Sequence, residues 1–203
     1  MSGPAESGRP AWVIPDRSGL LHLLARLSWR RGPVVLASGT TSDFYIDCKQ
    51  TALHPLGAAG LGALMAAEVE ALEAATGRIA QGVGGMTLGA DPLATAVSLT
   101  ALAHGRLLPA FIVRKTPKDH GTEAYLEGRA NLPEGAAVIL LEDVVTSGGS
   151  TLKAAERARA EGLDPFGVVC IVDRQAGGAE RLAAAGVPLR ALFTRTDFEG
   201  LPR

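Results

Sequence analysis

The stretch VILLEDVVTSGGST, residues 138–151, joins a run of apolar side chains to two adjacent acids and a loop of glycines and hydroxyls. The apolar residues from Ala136 to Leu141 have the length and branching of a buried parallel strand, and residues 152–162 have the pattern of a helix. The loop therefore lies at the carboxyl end of a strand. Open α/β sheets bind ligands at that edge, and the N–H groups at a helix N-terminus favour phosphate.

The residue types in this loop indicate two kinds of ligand group. Glycines at 148 and 149 let the backbone approach a phosphate without an intervening Cβ. Glu142 and Asp143 would repel a phosphate, so we expect them to accept hydrogen bonds from sugar hydroxyls or to bind a divalent cation that bridges to phosphate oxygens. A phosphorylated sugar with magnesium carries both kinds of group. The hydroxyls available to it are those of Thr146, Ser147, Ser150 and Thr151.

The same run resembles the signature of the type I phosphoribosyltransferases, in which two acids follow an apolar strand and precede Thr-Ser-Gly-Gly-Ser. The resemblance implies that the ligand is phosphoribosyl pyrophosphate (PRPP), and that Mg²⁺ is the cofactor, held at Glu142 and Asp143 indirectly through substrate oxygens. The alternative is a glycine-rich turn with an exposed acid pair and no ligand. The implied PRPP-binding residues of this run are Glu142, Asp143, Val144, Val145, Thr146, Ser147, Gly148, Gly149 and Ser150.

Length, charge and cysteine content limit the function classes. The 203 residues suit one α/β domain, and a net charge of -1 gives no indication of a nucleic-acid or membrane surface. Cys48 and Cys170 have no metal-like spacing, which favours reduced thiols in a cytoplasmic protein. We find no segment of roughly 18 apolar residues that would span a membrane. Residues 1–15 predict a poorly ordered tail.

The residues before the core predict a small N-terminal hood. Leucines at helical spacing predict a helix over residues 16–31, opened by Asp16 or Ser18 and ended by Gly32-Pro33. Two short strands around a polar turn follow, between residues 34 and 49. The final residues, 194–203, predict a polar tail. We therefore divide a single domain, residues 16–203, into a hood over about 16–53 and a core over about 54–195.

Adjacent aromatic residues at Phe44 and Tyr45 are candidates for a platform on which a flat heterocycle stacks, although ordinary packing in a strand explains them as well. The segment resembles the Leu-x-Ser-Gly-x-x-Ser-x-Phe/Tyr-Tyr pattern of orotate phosphoribosyltransferases, which implies that both rings flank the pyrimidine. Several members of that family carry a lysine directly before the Ser-Gly, and here the position is Ala37. One substrate contact is therefore missing or supplied elsewhere.

Further strands alternate with helices along the rest of the chain. Their order predicts a parallel central sheet flanked by helices, as in the type I phosphoribosyltransferase fold. Gly82-Val83-Gly84 begins like a dinucleotide-binding turn, but Thr87 replaces the third glycine and no acid ends the next strand. We interpret it as a turn that receives the pyrophosphate, without the lysine that some relatives have there. The predicted strands are 78–83, 107–113, 136–141, 165–172 and 187–193.

A basic segment follows the predicted strand over 107–113. Arg114, Lys115, Lys118 and His120 interrupt the apolar pattern at the same sheet edge as the acid pair, and nearby glycines suggest a mobile loop. Arg-Lys-x-x-Lys-x-His-Gly closely resembles the catalytic loop of orotate phosphoribosyltransferases. The resemblance implies that these four side chains bind PRPP, and that loop 114–128 closes over the neighbouring subunit of a homodimer. The implied catalytic residues are Lys118, His120 and Asp143.

Asp173 and Arg174 follow the predicted strand over 165–172. An arginine at that edge can bind a carboxylate through two parallel hydrogen bonds, although a surface salt bridge is the commoner role. In the family this Asp-Arg pair holds the carboxylate of orotate, and the resemblance implies that role for Arg174. With it, the implied orotate-binding residues are Phe44, Tyr45, Thr146 and Arg174.

The resemblance covers the chain from about Leu20 to Phe193 and implies an orotate phosphoribosyltransferase. Two alternatives remain. A phosphoribosyltransferase for another base would have no reason to carry the basic loop or Asp173-Arg174. A regulator that senses PRPP and binds nucleic acid would need a basic stripe outside that loop, which the sequence lacks. We expect small-molecule substrates only, with no nucleic acid and no membrane as partner, and a cytoplasmic location.

Overall fold

The computed structural model describes residues 12–35, 41–117 and 124–201, which contain two sheets and the helices around them. The strands are β1 (Trp29–Val35), β2 (Thr41–Ile46), β3 (Gly82–Met86), β4 (Ala110–Val113), β5 (Leu126–Glu127), β6 (Ala137–Val145), β7 (Asp164–Asp173) and β8 (Leu189–Thr194). The helices are α1 (Arg17–Leu27), α2 (Lys49–Ala52), α3 (Pro55–Thr76), α4 (Asp91–Ala103), α5 (Gly149–Ala160), α6 (Gly178–Ala184) and α7 (Arg195–Glu199), with a 3-10 turn at Arg129–Asn131.

The main sheet has the order β5-β4-β3-β6-β7-β8, and β6 is paired in parallel with β3 and with β7. The chain crosses between the parallel neighbours β3 and β4 through α4, and between β6 and β7 through α5. The predicted α/β fold with a parallel central sheet is confirmed. One edge was not predicted, because β5, which lies within the loop 114–128, pairs antiparallel with β4.

The sheet carries a hydrophobic cluster on each face. Ile139 and Leu141 of β6 belong to the cluster that includes α1, α3 and α4, whereas Val138 and Leu140 belong to the cluster that includes α5 and α6. This alternation follows from the period of two in a strand. Burial on both faces explains the almost continuous apolar sequence of β6, and it places the carboxyl end of this strand at the centre of the sheet edge.

Helix α3 departs from the expectation that no segment could span a membrane. Its 22 residues are long and apolar enough to do so by length and composition. One side of the helix packs into the core through Leu61, Met65, Val69 and Leu72, all buried. Near its end, Glu73 accepts hydrogen bonds from the Ala80 N–H at 2.6 Å and from Arg106. These contacts are those of a core helix covering one face of the sheet.

The hood differs from its predicted boundaries. Asp16 is the N-cap of α1, with its Oδ1 accepting from the Gly19 N–H at 2.8 Å, as predicted. The helix ends at Leu27 and not at Arg31, because residues from Trp29 onward pair with β2 in an antiparallel sheet. Gly32 and Pro33 lie within that strand, where the register shifts between Arg31 and Val34. Pairing with β2 therefore replaces the last helical turn that the leucine spacing predicts.

Two further elements correct the sequence-based boundaries. Strand β3 begins at Gly82, so Gly84 and Gly85 lie inside a strand and not in a ligand-binding turn. A Cβ at Gly85 would lie 2.1 Å from the Leu141 carbonyl oxygen, so close contact with β6 explains this glycine. At the other end of the chain, the predicted polar tail contains α7. Its Phe198 is fully buried against Trp29, Phe44 and Phe193.

Candidate active site

The acid pair belongs to β6 itself, which continues to Val145 beyond the predicted strand end. Glu142 is only 5% exposed, and its Oε2 accepts hydrogen bonds from Ser150 Oγ and Thr151 Oγ1 at 2.9 Å each. Burial, with a further contribution from the charge of Asp143, raises the pKa of Glu142 to about 7. Glu142 therefore fastens the first turn of α5 to the strand.

Asp143 has different neighbours. Its Oδ2 lies 3.9 Å from Lys49 Nζ, and its Oδ1 accepts from the Val144 N–H at 2.8 Å. A Cβ on Gly89 would lie 2.6 Å from Oδ1, so the turn after β3 can approach this carboxylate only with glycine there. Its side chain is partly exposed, which makes Asp143 the carboxylate of the pair that a ligand can reach.

The loop after β6 ends in a helix N-terminus, as predicted. Gly148 is the N-cap of α5 with φ of 73°, and the helix begins at Gly149. Thr146 and Ser147 are exposed, so their hydroxyls and the free N–H groups of the first helical turn are open to an anion. The hydroxyls of Ser150 and Thr151 were predicted phosphate donors, but both donate to Glu142 instead.

A cavity of about 290 Å³ lies beside the acid pair. It brings together Lys115, Glu142, Asp143 and Ser150, as the sequence predicted, and adds Lys49, which the sequence analysis missed. Among the described residues, no group of three or more histidine, cysteine or acidic side chains could enclose a metal ion. The lining consists of Lys49, Met86, Thr87, Leu88, Gly89, Lys115, Glu142, Asp143, Val144 and Ser150.

The basic segment is described only at its start, since Lys118 and His120 lie outside the described residues. Arg114 Nη1 donates to Glu127 Oε1 of β5 at 2.9 Å. Arg157 of α5 binds the backbone beneath this segment, because it donates to the carbonyl oxygens of Arg114 and, at 3.1 Å, of Lys115. Helix α5, which begins at the loop after β6, therefore also holds the base of the basic segment, a role that the sequence analysis did not assign to Arg157.

Arg174 lies at the same sheet edge, since its N–H donates to the Val145 carbonyl at 2.9 Å. Its guanidinium donates to the Phe44 carbonyl at 3.1 Å and lies over the Phe44 ring, 5.6 Å from the centroid. Phe44 is 1% exposed, so the predicted stacking of Phe44 on a ligand is wrong for this arrangement. The ring packs into the aromatic cluster with Phe198 and supports Arg174. Tyr45 is partly exposed, with the guanidinium of Arg30 5.9 Å from its ring centroid.

The chain has close relatives among known proteins, although no family model matches it. It is 49% identical over 183 residues to the orotate phosphoribosyltransferase of Sorangium cellulosum (strain So ce56), covering 90% of this chain and 93% of that protein. It is 47% identical over 183 residues to the orotate phosphoribosyltransferase of Nostoc sp. (strain PCC 7120), covering 90% of this chain and 85% of the relative.

Solved structures agree with this relationship. The orotate phosphoribosyltransferase of Mycobacterium tuberculosis H37Rv in complex with Fe(III) dicitrate superposes with a TM-score of 0.75 at 38% identity, covering 92% of this chain and 100% of that chain. The same enzyme in complex with PRPP gives a TM-score of 0.72 at 36% identity, with 91% and 99% coverage.

Proposed function

The chain belongs to the orotate phosphoribosyltransferase family, and from this membership we propose which of its residues carry the reaction. The protein transfers the phosphoribosyl group of PRPP to orotate, which gives orotidine 5'-monophosphate and pyrophosphate in pyrimidine biosynthesis. The bond from the anomeric carbon to a pyrophosphate oxygen breaks, and a bond from a ring nitrogen of orotate to that carbon forms. The site therefore has to stabilise a departing anion and a cationic sugar carbon.

The observation that carries the residue assignment is the position of Asp143. Its partly exposed carboxylate lies in the wall of a cavity of about 290 Å³, directly before the loop that ends at the α5 N-terminus. In our proposal Asp143 accepts hydrogen bonds from the ribose hydroxyls and favours positive charge at the anomeric carbon. Glu142 acts behind it, because its own acceptor is occupied by Ser150 and Thr151.

The 5'-phosphate is assigned to the loop over residues 144–150. Support comes from the exposed hydroxyls of Thr146 and Ser147 and from the backbone N–H groups at Gly149 and Ser150, where the positive end of the α5 dipole lies. Val144 and Val145 contribute only backbone. With the 5'-phosphate in this loop and the ribose at Asp143, we orient the donor with its pyrophosphate toward the turn after β3, whose Thr87, Leu88 and Gly89 line the same cavity.

The basic segment is assigned to the pyrophosphate. Arg114, Lys115, Lys118 and His120 would neutralise the charge that grows on the leaving group, and exclusion of water by the closed loop would protect the donor from hydrolysis. Lys115 already lines the cavity. The support for Lys118 and His120 is the family's loop sequence alone, and we assign them as the catalytic residues together with Asp143.

Orotate is assigned to the space between Tyr45, Thr146 and Arg174. Arg174 can present its planar fork to the orotate carboxylate, which selects for a carboxylated pyrimidine. Phe44 holds that fork in place through its carbonyl oxygen and its buried ring. In this assignment Phe44 is a positioning residue, and Tyr45 is the aromatic ring that orotate contacts.

A divalent cation fits the donor set, provided that substrate supplies most of its ligands. Oε2 of Glu142 accepts two hydroxyl hydrogen bonds, so Asp143 is the carboxylate that remains accessible. Mg²⁺ prefers oxygen ligands and usually keeps water and substrate phosphates among them. We assign Asp143, backed by Glu142, to hold Mg²⁺ indirectly through substrate oxygens. When bound, the ion would help neutralise the pyrophosphate.

The proposal includes a homodimer in which loop 114–128 of one subunit reaches the site of the other, as the family's loop sequence implies. Mixing Lys118→Ala subunits with Asp143→Asn subunits should then restore part of the activity, because one of the two sites receives both wild-type residues. An inactive heterodimer would contradict shared sites. We place the protein in the cytoplasm, because both cysteines are free thiols and both substrates are charged.

The reaction is tested through the ultraviolet absorbance of orotate. The signal should decay only when the purified protein, PRPP and magnesium are all present, and a chelator such as EDTA should stop the decay. Uracil and adenine in place of orotate serve as acceptor controls. Turnover of adenine but not orotate would contradict the assignment of Arg174, and a flat trace with measured PRPP binding would favour a sensor.

A further inference from the structure

Lys49 lies in the wall of the cavity beside the acid pair and has no part in the proposed binding of ribose, 5'-phosphate, Mg²⁺ or orotate. It comes from the hood, as the first residue of α2, and not from the strand ends that supply most of the site. This basic side chain beside the acid pair belongs to a segment about ninety residues earlier in the chain, so no contiguous sequence motif would reveal it.

The contacts of Lys49 leave hydrogen-bond donors available. Nζ forms an ion pair with Asp47 Oδ1 at 2.6 Å and lies 3.9 Å from Asp143 Oδ2, which is beyond hydrogen-bond distance. An ammonium group has three N–H donors, and its side chain here is 41% exposed. At least one donor can therefore bind an oxygen atom that enters the cavity.

Asp47 keeps the ammonium in place. Its Oδ2 accepts from Gln50 Nε2 at 3.1 Å, and its Oδ1 also accepts from the backbone N–H of Lys49 at 3.3 Å, so both carboxylate oxygens are held in place. The hydrogen bond from Lys49 to Asp47 raises the pKa of Lys49, with burial acting in the opposite direction. The group is therefore charged throughout the neutral pH range.

The charges around the cavity indicate which part of the donor meets Lys49. With the ribose at Asp143 and the 5'-phosphate at the loop before α5, the diphosphate extends toward the turn after β3. The last residue of β3, Met86, and Thr87 and Leu88 of that turn line the cavity without charge, and the Thr87 hydroxyl already donates to Asp91 at 2.8 Å. Among the described lining residues, Lys49 and Lys115 are the basic ones.

We propose that Lys49 binds the diphosphate of PRPP and supplies from the hood the positive charge that the turn after β3 lacks. The inference rests on the donor site assigned under the proposed function. This contact would explain how the highly charged diphosphate can bind beside a turn that has no lysine. It also makes Lys49 a substrate-contacting residue, since its ammonium and the acids that receive the ribose share one cavity wall.

The test measures binding and turnover together. Lys49→Met should raise both the Kd for PRPP with magnesium, measured by calorimetry, and the KM for PRPP by about 10-fold to 100-fold, the effect of losing a hydrogen bond to a charged group. The KM for orotate should change less than about twofold. Lys49→Arg, which keeps the charge, should recover most of the affinity for PRPP.

Two variants separate ligand binding from a structural role. Asp47→Asn removes the ion pair but leaves the ammonium, and Gln50→Ala removes the other side-chain hydrogen bond to Asp47. Both should affect PRPP affinity less than Lys49→Met does. An equal loss of PRPP affinity in Asp47→Asn and Lys49→Met would overturn the proposal, because it would show that the affinity depends on the Lys49–Asp47 ion pair and not on a contact between Lys49 and PRPP. Unchanged PRPP affinity in Lys49→Met would overturn it as well.

PRPP binding by the wild-type protein distinguishes failure of the Lys49 proposal from failure of the proposed PRPP site. Wild-type protein that binds no PRPP would refute both, whereas wild-type protein that binds PRPP beside a Lys49→Met variant of equal affinity would refute only Lys49. If Lys49→Met does not fold, as judged by its melting temperature, Lys49→Gln decides the question, since it keeps a polar side chain without the charge.

Discussion

The donor and acceptor sides of the proposed active site are built in different ways. The part of the donor side assigned to ribose 5-phosphate is one continuous segment, in which β6, its loop and the first turn of α5 are tied together by hydrogen bonds from Ser150 and Thr151 to Glu142. The acceptor side is assembled from distant parts of the chain. Arg174 lies on Phe44 of the hood, and Phe44 lies against Phe198 of the C-terminal helix.

On the donor side, we expect catalysis and stability to depend on different residues. On the acceptor side, we expect orotate binding and stability to depend on the same residues. Asp143 reaches into the cavity from a strand whose packing does not depend on it, so its removal should affect turnover alone. Arg174 is positioned by buried rings, so weakening the aromatic cluster should affect both folding and orotate binding.

The largest effect is expected in the aromatic cluster. Phe198→Ala should lower the free energy of unfolding by about 3–5 kcal/mol, because it empties a fully buried site among three other rings. It should also raise the KM for orotate, since Phe44 would no longer be held beneath Arg174. Urea denaturation and steady-state kinetics measure the two effects.

Phe166→Ala is the matched control, because Phe166 is equally buried but lies near the amino end of β7, away from the ligand edge. It should cost similar stability without changing the KM for orotate. If both variants leave that KM unchanged, the acceptor side does not depend on the aromatic cluster.

Asp143→Asn should act on turnover. We expect kcat/KM for PRPP to fall about 100-fold to 1000-fold, corresponding to the loss of one preorganised electrostatic contact, while the unfolding free energy changes by less than about 1 kcal/mol. Asp164→Asn, at a surface pair with Arg78, should leave kinetics unchanged. A loss of stability as large as that of Phe198→Ala would remove the contrast between the two sides.

Arg174→Lys should have a more selective effect. Lysine keeps the charge but not the planar fork, so the KM for orotate should rise about tenfold while the KM for PRPP stays within about twofold. Arg190→Lys is the control, since Arg190 pairs with Glu68 at 2.6 Å on another part of the surface. Equal increases in both KM values would indicate that Arg174 serves the donor side as well.

The smallest effect concerns the two thiols, Cys48 in the hood and Cys170 in β7. Burial raises the pKa of both Cys48 and Cys170 well above the usual value, so at pH 8 each has a smaller thiolate fraction than a free cysteine. Neither should react with Ellman's reagent in the folded protein. In urea, single-thiol variants Cys48→Ala and Cys170→Ala should react at the same midpoint, because one hydrophobic cluster joins the hood to the sheet. Earlier reaction of Cys48 would show that the hood opens first.

The contiguous parts of this site could be predicted from sequence for a physical reason. A strand end, two acids and a glycine loop before a helix act through their own backbone, so the order of residues along the chain nearly fixes their geometry in space. The sheet, the N-terminus of α5 and the cavity beside Asp143 follow from that segment. Arg174 was placed at the correct edge for the same reason, because it directly follows a strand.

The remaining features depend on contacts between distant residues. Adjacent residues of a strand point to opposite faces, so Phe44 and Tyr45 could not both contact a ligand, and the packing of Phe198 decided which ring is buried. The five residues of α7 have little helical tendency of their own, although the spacing of Thr194 and Asp197 is that of a capping box and could have indicated the helix. Lys49 and Arg157 had no local signal at all.

The order of the two acids has a consequence for how such sites are recognised. A pattern that asks only for two acids before Thr-Ser-Gly-Gly-Ser would accept Glu142→Asp combined with Asp143→Glu, since charge and composition stay the same. In the structure, the shorter side chain at position 142 would withdraw its carboxylate from Ser150 and Thr151. The longer side chain at position 143 would extend toward the backbone at Gly89, where Asp143 already leaves no room for a Cβ. A sequence can therefore match the pattern of two acids before Thr-Ser-Gly-Gly-Ser and still lack the geometry of this site.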